Sequence, residues 1–140
     1  MAKKKLLTVD FEYDFSLLGI LCHYKDYRLC DALNKTLHIE LERKTDLEVV
    51  SGKNIEQSAF ALYSFVDENE RQYHILANKG TNNKFLIPEQ NRVDYFMMLK
   101  GLFTADDIEL IRANIKQIAI VLGAYTLQIE DVKSRDNFLF

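Results

Sequence analysis

The amino-acid sequence predicts an α+β fold, an antiparallel sheet of about five or six strands with helices packed on one face. Three observations predict it. Leu7, Val9, Phe11, Tyr13 and Phe15 alternate with Thr8, Asp10, Glu12 and Asp14, the period of a half-buried strand. Two apolar runs, residues 59–66 and 73–77, flank a short polar turn, as in a β-hairpin. Apolar residues recur three and four apart at Tyr27, Cys30, Leu33 and Leu37, and again at Ile108, Ile111 and Ile115, as they do along one side of an α-helix.

In chain order, the first strand is expected over residues 7–15, with its acidic side toward water. The run Leu17-Leu18-Gly19-Ile20-Leu21 reads either as a second strand or as the lead-in to a helix. A helix follows over residues 24–37, with Lys25, Asp26, Arg28, Asp31 and Lys35 on its remaining surface. Ile39, Leu41 and Arg43 suggest a short strand with Glu40 and Glu42 outward, and residues 45–55 read as a loop. After the hairpin turn at Asp67-Glu68-Asn69-Glu70, a second turn at residues 78–83 is rich in residues that tolerate positive φ. Phe85-Leu86-Ile87 is expected as a third short strand of an antiparallel meander.

Pro88 cannot donate to a ladder, so it ends that strand, and it suits the first position of a helix. Val93, Phe96, Met97 and Lys100 then suggest a short helix closed by Gly101. Thr104 caps a further helix, with Asp106, Asp107 and Glu109 in its first turn. The β-branched run over residues 118–127 reads as a buried strand. The tail is polar until Phe138-Leu139-Phe140, an apolar terminus expected to dock.

Composition bounds the function. The chain has 140 residues, read as a single domain over 1–140 and long enough to bury a core without disulfide or metal. Eighteen basic and twenty-one acidic side chains leave a net charge of −3, which disfavours non-specific nucleic-acid binding. No apolar stretch approaches the roughly 20 residues of a membrane span. Lys3-Lys4-Lys5 before Leu6-Leu7 is a superficial signal-peptide start, interrupted at once by Asp10, Glu12 and Asp14. The expected location is the cytoplasm, where Cys22 and Cys30 would be free thiols.

Ile87-Pro88-Glu89, three residues, then Val93-Asp94-Tyr95 spell I-P-E-x-x-x-V-D-Y. This segment, together with His23-Tyr24-Lys25-Asp26-Tyr27-Arg28-Leu29-Cys30 upstream, resembles the bacterial IPExxxVDY family, and the resemblance extends over most of the chain. It implies membership in a family of small proteins without an established activity. It supplies no catalytic residue, cofactor or substrate.

Read from the residues alone, the motif has a folding explanation. Pro88 sets a strand-to-helix turn, Glu89, Asn91 or Asp94 sits near free helix N–H groups, Val93 and Phe96 face the core, and Tyr95 places its ring against apolar neighbours with the hydroxyl free for a partner. The rival explanation makes Glu89, Asp94 and Tyr95 a pocket or contact surface, with Lys25 and Arg28 as a basic pair able to hold a carboxylate or phosphate. Local Asp–Arg pairing on a solvated helix face is the plainer account of that pair.

Other chemistries lack a signature. Cys22, His23 and Cys30 match no standard metal-ligand spacing. Ser16, Ser58 and Ser64 lie in no Gly-x-Ser-x-Gly elbow, and no glycine-rich phosphate loop is present. No cofactor is expected. The sequence therefore points to a non-catalytic protein-interaction module, with self-association as its plainest form. The alternative is a small-ligand binder or enzyme with a site near residues 88–95. RNA binding is a weaker third reading, needing a basic, aromatic platform that the net charge hides.

Overall fold

The computed structural model describes residues 14–51, 56–138 and 140. Six strands form one antiparallel sheet: β1 (Phe15–Leu21), β2 (Glu42–Ser51), β3 (Glu56–Val66), β4 (Gln72–Ala77), β5 (Tyr95–Lys100) and β6 (Gly123–Leu127). Their order is β2-β3-β4-β5-β1-β6, so among the described residues β2 and β6 are the edges. Helix α1 (Asp26–Leu37) joins β1 to β2, and α2 (Ala105–Lys116) joins β5 to β6. The α+β class and the sheet expected from the sequence are present.

Both sheet faces are buried. On one face, Leu18, Ile20, Ile75, Tyr95, Met97 and Leu99 pack with Leu29, Cys30 and Leu33 of α1 and Ile115 of α2. On the other, Leu17, Phe60, Leu62, Leu76, Phe96 and Met98 pack with Leu86, Ile87, Val93, Val132 and Phe138. The helices thus lie on one face only. A loop and the C-terminal segment cover the opposite face. The apolar terminus docks: the Phe138 ring meets Phe15 and Phe96 edge-on, at 5.8 and 5.4 Å between centroids.

Several boundaries differ from expectation. Residues 95–100 form β5, where a helix was read. Central strands buried on both faces lose their polar alternation, and an apolar run of that length has no period to separate strand from helix. β5 supplies the third meander strand. Phe85-Leu86-Ile87 does not, since only the isolated bridge between Lys79 and Phe85 forms there. Pro88 begins one 3-10 turn (Pro88–Gln90) and no α-helix.

The expected loop over residues 45–55 is largely strand. β2 runs to Ser51, and its register shifts between Lys44 and Leu47, a bulge that breaks the alternation. The short strand expected over residues 39–43 begins only at Glu42, so that Arg43 lies in β2 and Ile39 and Leu41 precede it. The ambiguous run after Phe15 is strand β1. The expected strand at residues 7–13 lies outside the described residues. β6 starts at Gly123, because residues 118–122 turn after α2, with Val121 N–H bonded to the Ile118 carbonyl.

The Thr104 cap forms as read. Its hydroxyl accepts from Asp107 N–H, and the Asp107 carboxylate accepts from Thr104 N–H, a reciprocal capping box. The turn after β4 extends the ladder beyond that strand. Thr81 Oγ1 accepts from Ala59 N–H at 2.9 Å, and Asn82 Nδ2 donates to the Gln57 carbonyl at 3.0 Å. Asn82 and Asn83 hold the positive φ values expected of this segment. Gly80 sits so close to β3 that a Cβ would lie 2.4 Å from the Ala59 carbonyl oxygen.

Candidate functional site

The motif is built around a residue that the sequence did not single out. Asn78, at the end of β4, is 0% exposed. Its Nδ2 donates to the carbonyls of Val93 at 2.8 Å and Gln90 at 2.9 Å, and its Oδ1 accepts from Ile87 N–H at 2.9 Å. Its backbone N–H and carbonyl bond Asp94 and Leu86. One amide therefore closes the loop between Leu86 and Asp94, satisfying polar groups that water cannot reach. An Asn at the strand end before a turn was the available signal, but its side-chain partners lie up to fifteen residues away.

Asp94 and Tyr95 reach in the other direction. Asp94 N–H donates to the Ile20 carbonyl, and its Oδ2 accepts from Cys22 N–H at 2.8 Å. The Tyr95 hydroxyl donates to the Tyr24 carbonyl at 2.7 Å. The two sequence segments singled out, residues 88–95 and 24–28, are thus tied together at the start of α1. A hollow of about 280 Å³ opens there, lined by Cys22, His23, Tyr24, Lys79, Asp94 and Tyr95 among others.

The five residues proposed as one surface do not share it. Lys25 is the N-terminal cap position of α1, and Arg28 stacks its guanidinium 5.0 Å from the Tyr24 ring centre. Both are exposed, and neither lines the hollow. Glu89 serves the other side of the sheet, where its carboxylate accepts from Ser134 N–H at 2.6 Å and from the Ser134 hydroxyl at 3.0 Å. Burial pushes the Glu89 carboxyl up, but the Ser134 bonds outweigh it and hold the group below the usual range. Neither Glu89 nor Asp94 caps an α-helix.

Burial raises the pKa of the Tyr95 phenol, and the nearby Asp26 charge adds to the effect. The buried Cys22 thiol is raised mainly by desolvation, and Cys30 is pushed up to about 12 for the same first reason. These are poor nucleophiles, since the thiolate is the reactive form. Among the described residues no three His, Cys, Asp or Glu side chains gather as a metal site.

A polar chain at the far end of the sheet also escaped the sequence reading. Ser64 and His74 are paired across β3 and β4. The Ser64 hydroxyl lies 2.6 Å from His74 Nδ1, and Gln72 Oε1 lies 3.0 Å from Nε2. Gln72 as acceptor places the ring proton on Nε2, leaving Nδ1 to accept from Ser64. Burial first, then the Lys100 charge, lowers the His74 pKa to about 4, so the ring is neutral near pH 7. The hairpin register would have predicted the pairing, had its turn length been fixed by the sequence.

The two sheet edges differ in chemistry. β2 carries Glu42, Arg43, Lys44, Asp46 and Glu48 and a bulge. Its Arg43 is engaged by Asp46 at 2.7 Å and Asp26 at 3.3 Å. β6 carries no charged residue, exposes Tyr125 and Thr126, and follows the exposed Leu122.

No family model matches the chain, and no curated protein matches it. No helix among the described residues is long and apolar enough to cross a membrane.

Proposed function

We propose that this protein is a non-catalytic interaction module of the IPExxxVDY family, acting in the cytoplasm, which pairs with a second copy of itself through β6. The observation that carries the reading is that β6, an edge strand among the described residues, carries no charged residue of its own, the one charged group bonded to it being Arg112 of α2 on the Ala124 carbonyl. Charges and bulges are how sheet edges are guarded against pairing, and β2 has both while β6 has neither. An antiparallel pair centred on Tyr125 sets Tyr125 opposite its own copy, Ala124 opposite Thr126 and Gly123 opposite Leu127. That register brings no like charges together and suits a two-fold axis.

The motif supports the reading indirectly. Its polar groups are engaged in holding the fold: Glu89 on Ser134, Asp94 on Cys22 and Tyr95 on Tyr24. Sedimentation equilibrium at tens of micromolar tests the proposal. The dimer mass is expected for the parent chain and the monomer mass for Tyr125→Lys, which puts a charge on the edge. A monomeric parent protein removes the proposal.

A small-ligand site is the second reading, favoured by the hollow where Tyr24 and Tyr95 meet. Lys79 and Asp94 would supply its polar contacts.

A further inference from the structure

Ser58 on β3 is 3% exposed, and its hydroxyl oxygen is the one buried side-chain N or O among the described residues with no hydrogen-bond partner. Buried hydroxyls are ordinarily paired, because an unmade bond forfeits hydration without replacement. Ser58 lines a hollow of about 450 Å³, within the usual range for small-ligand sites. Phe60 and Leu86, both fully buried, form its apolar wall together with the half-buried Phe85.

Two asparagines share the hollow with Ser58. Asn137 Nδ2 donates to the Leu86 carbonyl at 2.7 Å, and its Oδ1 stays unbonded among the described residues. The exposed Asn83 side-chain amide makes no bond among them either. Ser134 also lines the hollow, but its N–H and its hydroxyl proton are both spent on Glu89. Lys84, the one charged residue in the lining, already has a partner, so an anion would meet no uncompensated charge. The groups left over are neutral: a buried hydroxyl beside an apolar wall, and amide groups nearer to solvent.

An asparagine presents a carbonyl beside an NH₂ group, and a carboxamide offers the reverse pair. A flat aromatic ring suits a wall made of two phenylalanines and a leucine. A hydroxyl buried beside that wall is matched by an acceptor set in the ring itself. We propose that this hollow binds an uncharged heteroaromatic carboxamide. Its ring packs on Phe60, Phe85 and Leu86, a ring nitrogen accepts from the Ser58 hydroxyl, and the carboxamide bonds the Asn83 amide and Asn137 Oδ1. The site is separate from the β6 edge and from the hollow beside Tyr24, and stands whether or not the chain dimerises.

Two-dimensional ¹H–¹⁵N NMR titration with nicotinamide tests it, beside benzamide, which lacks the ring nitrogen, and 3-acetylpyridine, which lacks the amide donors. Nicotinamide is expected to shift the backbone amides of Ser58, Phe60, Phe85 and Leu86 at millimolar concentration. Each analogue is expected to bind about tenfold more weakly, the size of one lost hydrogen bond. Ser58→Ala is expected to bring nicotinamide down to the affinity of benzamide while leaving benzamide unchanged. Asn83→Gly tolerates the positive φ of that position and is expected to narrow the preference over 3-acetylpyridine. Asn83 is exposed, so its variant tests the site even where Ser58→Ala folds poorly. No shift at these amides, equal affinity for the three compounds, or preferences unchanged in both variants overturns the proposal.

Discussion

The Tyr95 hydroxyl donates to the Tyr24 carbonyl at 2.7 Å, joining the start of β5 to the entry of α1 across 71 positions of chain. Burial and the neighbouring Asp26 charge keep the phenol protonated, so it remains a donor across the ordinary pH range. Lys25, at the cap position of α1, makes no side-chain cap bond. The entry of α1 is instead held from β5, by Tyr95 on Tyr24 and by Asp94 on Cys22.

Tyr95→Phe isolates the first of these bonds. The ring stays in the core, and Tyr24 is exposed enough for water to replace the lost donor. The expected loss is about 1 kcal/mol in urea unfolding. Amide exchange should accelerate in the first turn of α1 and stay unchanged in β5. Unaltered exchange in α1 would show that the helix entry does not depend on this bond.

Asn78→Ala carries a larger cost. It removes the donor to Val93 and Gln90 and the acceptor for Ile87 together, leaving buried backbone groups unmatched. The expected loss is about 3 kcal/mol or more. Asn78→Asp is expected to be no better, because it turns an acceptor toward the Val93 and Gln90 carbonyls. Thermal unfolding of both variants beside Tyr95→Phe ranks the bonds, and a loss for Asn78→Ala no greater than for Tyr95→Phe would refute the hub role.

Asn78 also marks where sequence reasoning stops. Local patterns were enough for α1, α2, the Thr104 cap and the β3–β4 hairpin, because each is decided by neighbours a few residues apart. β5 was misread because its six residues are buried on both faces and carry no alternation. Of the candidate site, the motif was visible, and its folding explanation placed the Tyr95 ring against apolar neighbours with the hydroxyl free for a partner, which is the Tyr24 carbonyl. Which partner each group takes depends on sheet order. Glu89 finds Ser134 only because the C-terminal segment returns over the face opposite the helices, and no local pattern encodes that return. Ser58 was dismissed for lacking a nucleophile elbow; its unmatched hydroxyl is a property of packing.

The neutral state of His74 gives the fold a pH dependence with a definite sign. Its pKa is about 4 in the folded chain, lowered first by burial and then by Lys100, against about 6.5 when unfolded. Between these values the unfolded chain binds one more proton, so stability falls as pH falls through that window and is fully present above it. The size is bounded at roughly 3 kcal/mol, one pKa unit being worth 1.36 kcal/mol. Asp67, Glu89, Asp107 and Glu109 also lie below their ordinary values; their contribution is present above the unfolded values of 3.8 for aspartate and 4.5 for glutamate and fades below them, so only the glutamates overlap the acid end of the His74 window. His74→Gln keeps a polar side chain opposite Ser64 but removes the titrating ring. Urea unfolding at pH 7 and pH 4.5 is therefore expected to show a marked loss in the parent chain and a much smaller one in the variant. Equal losses in the two proteins would mean that His74 is not what makes the fold acid-sensitive in this range.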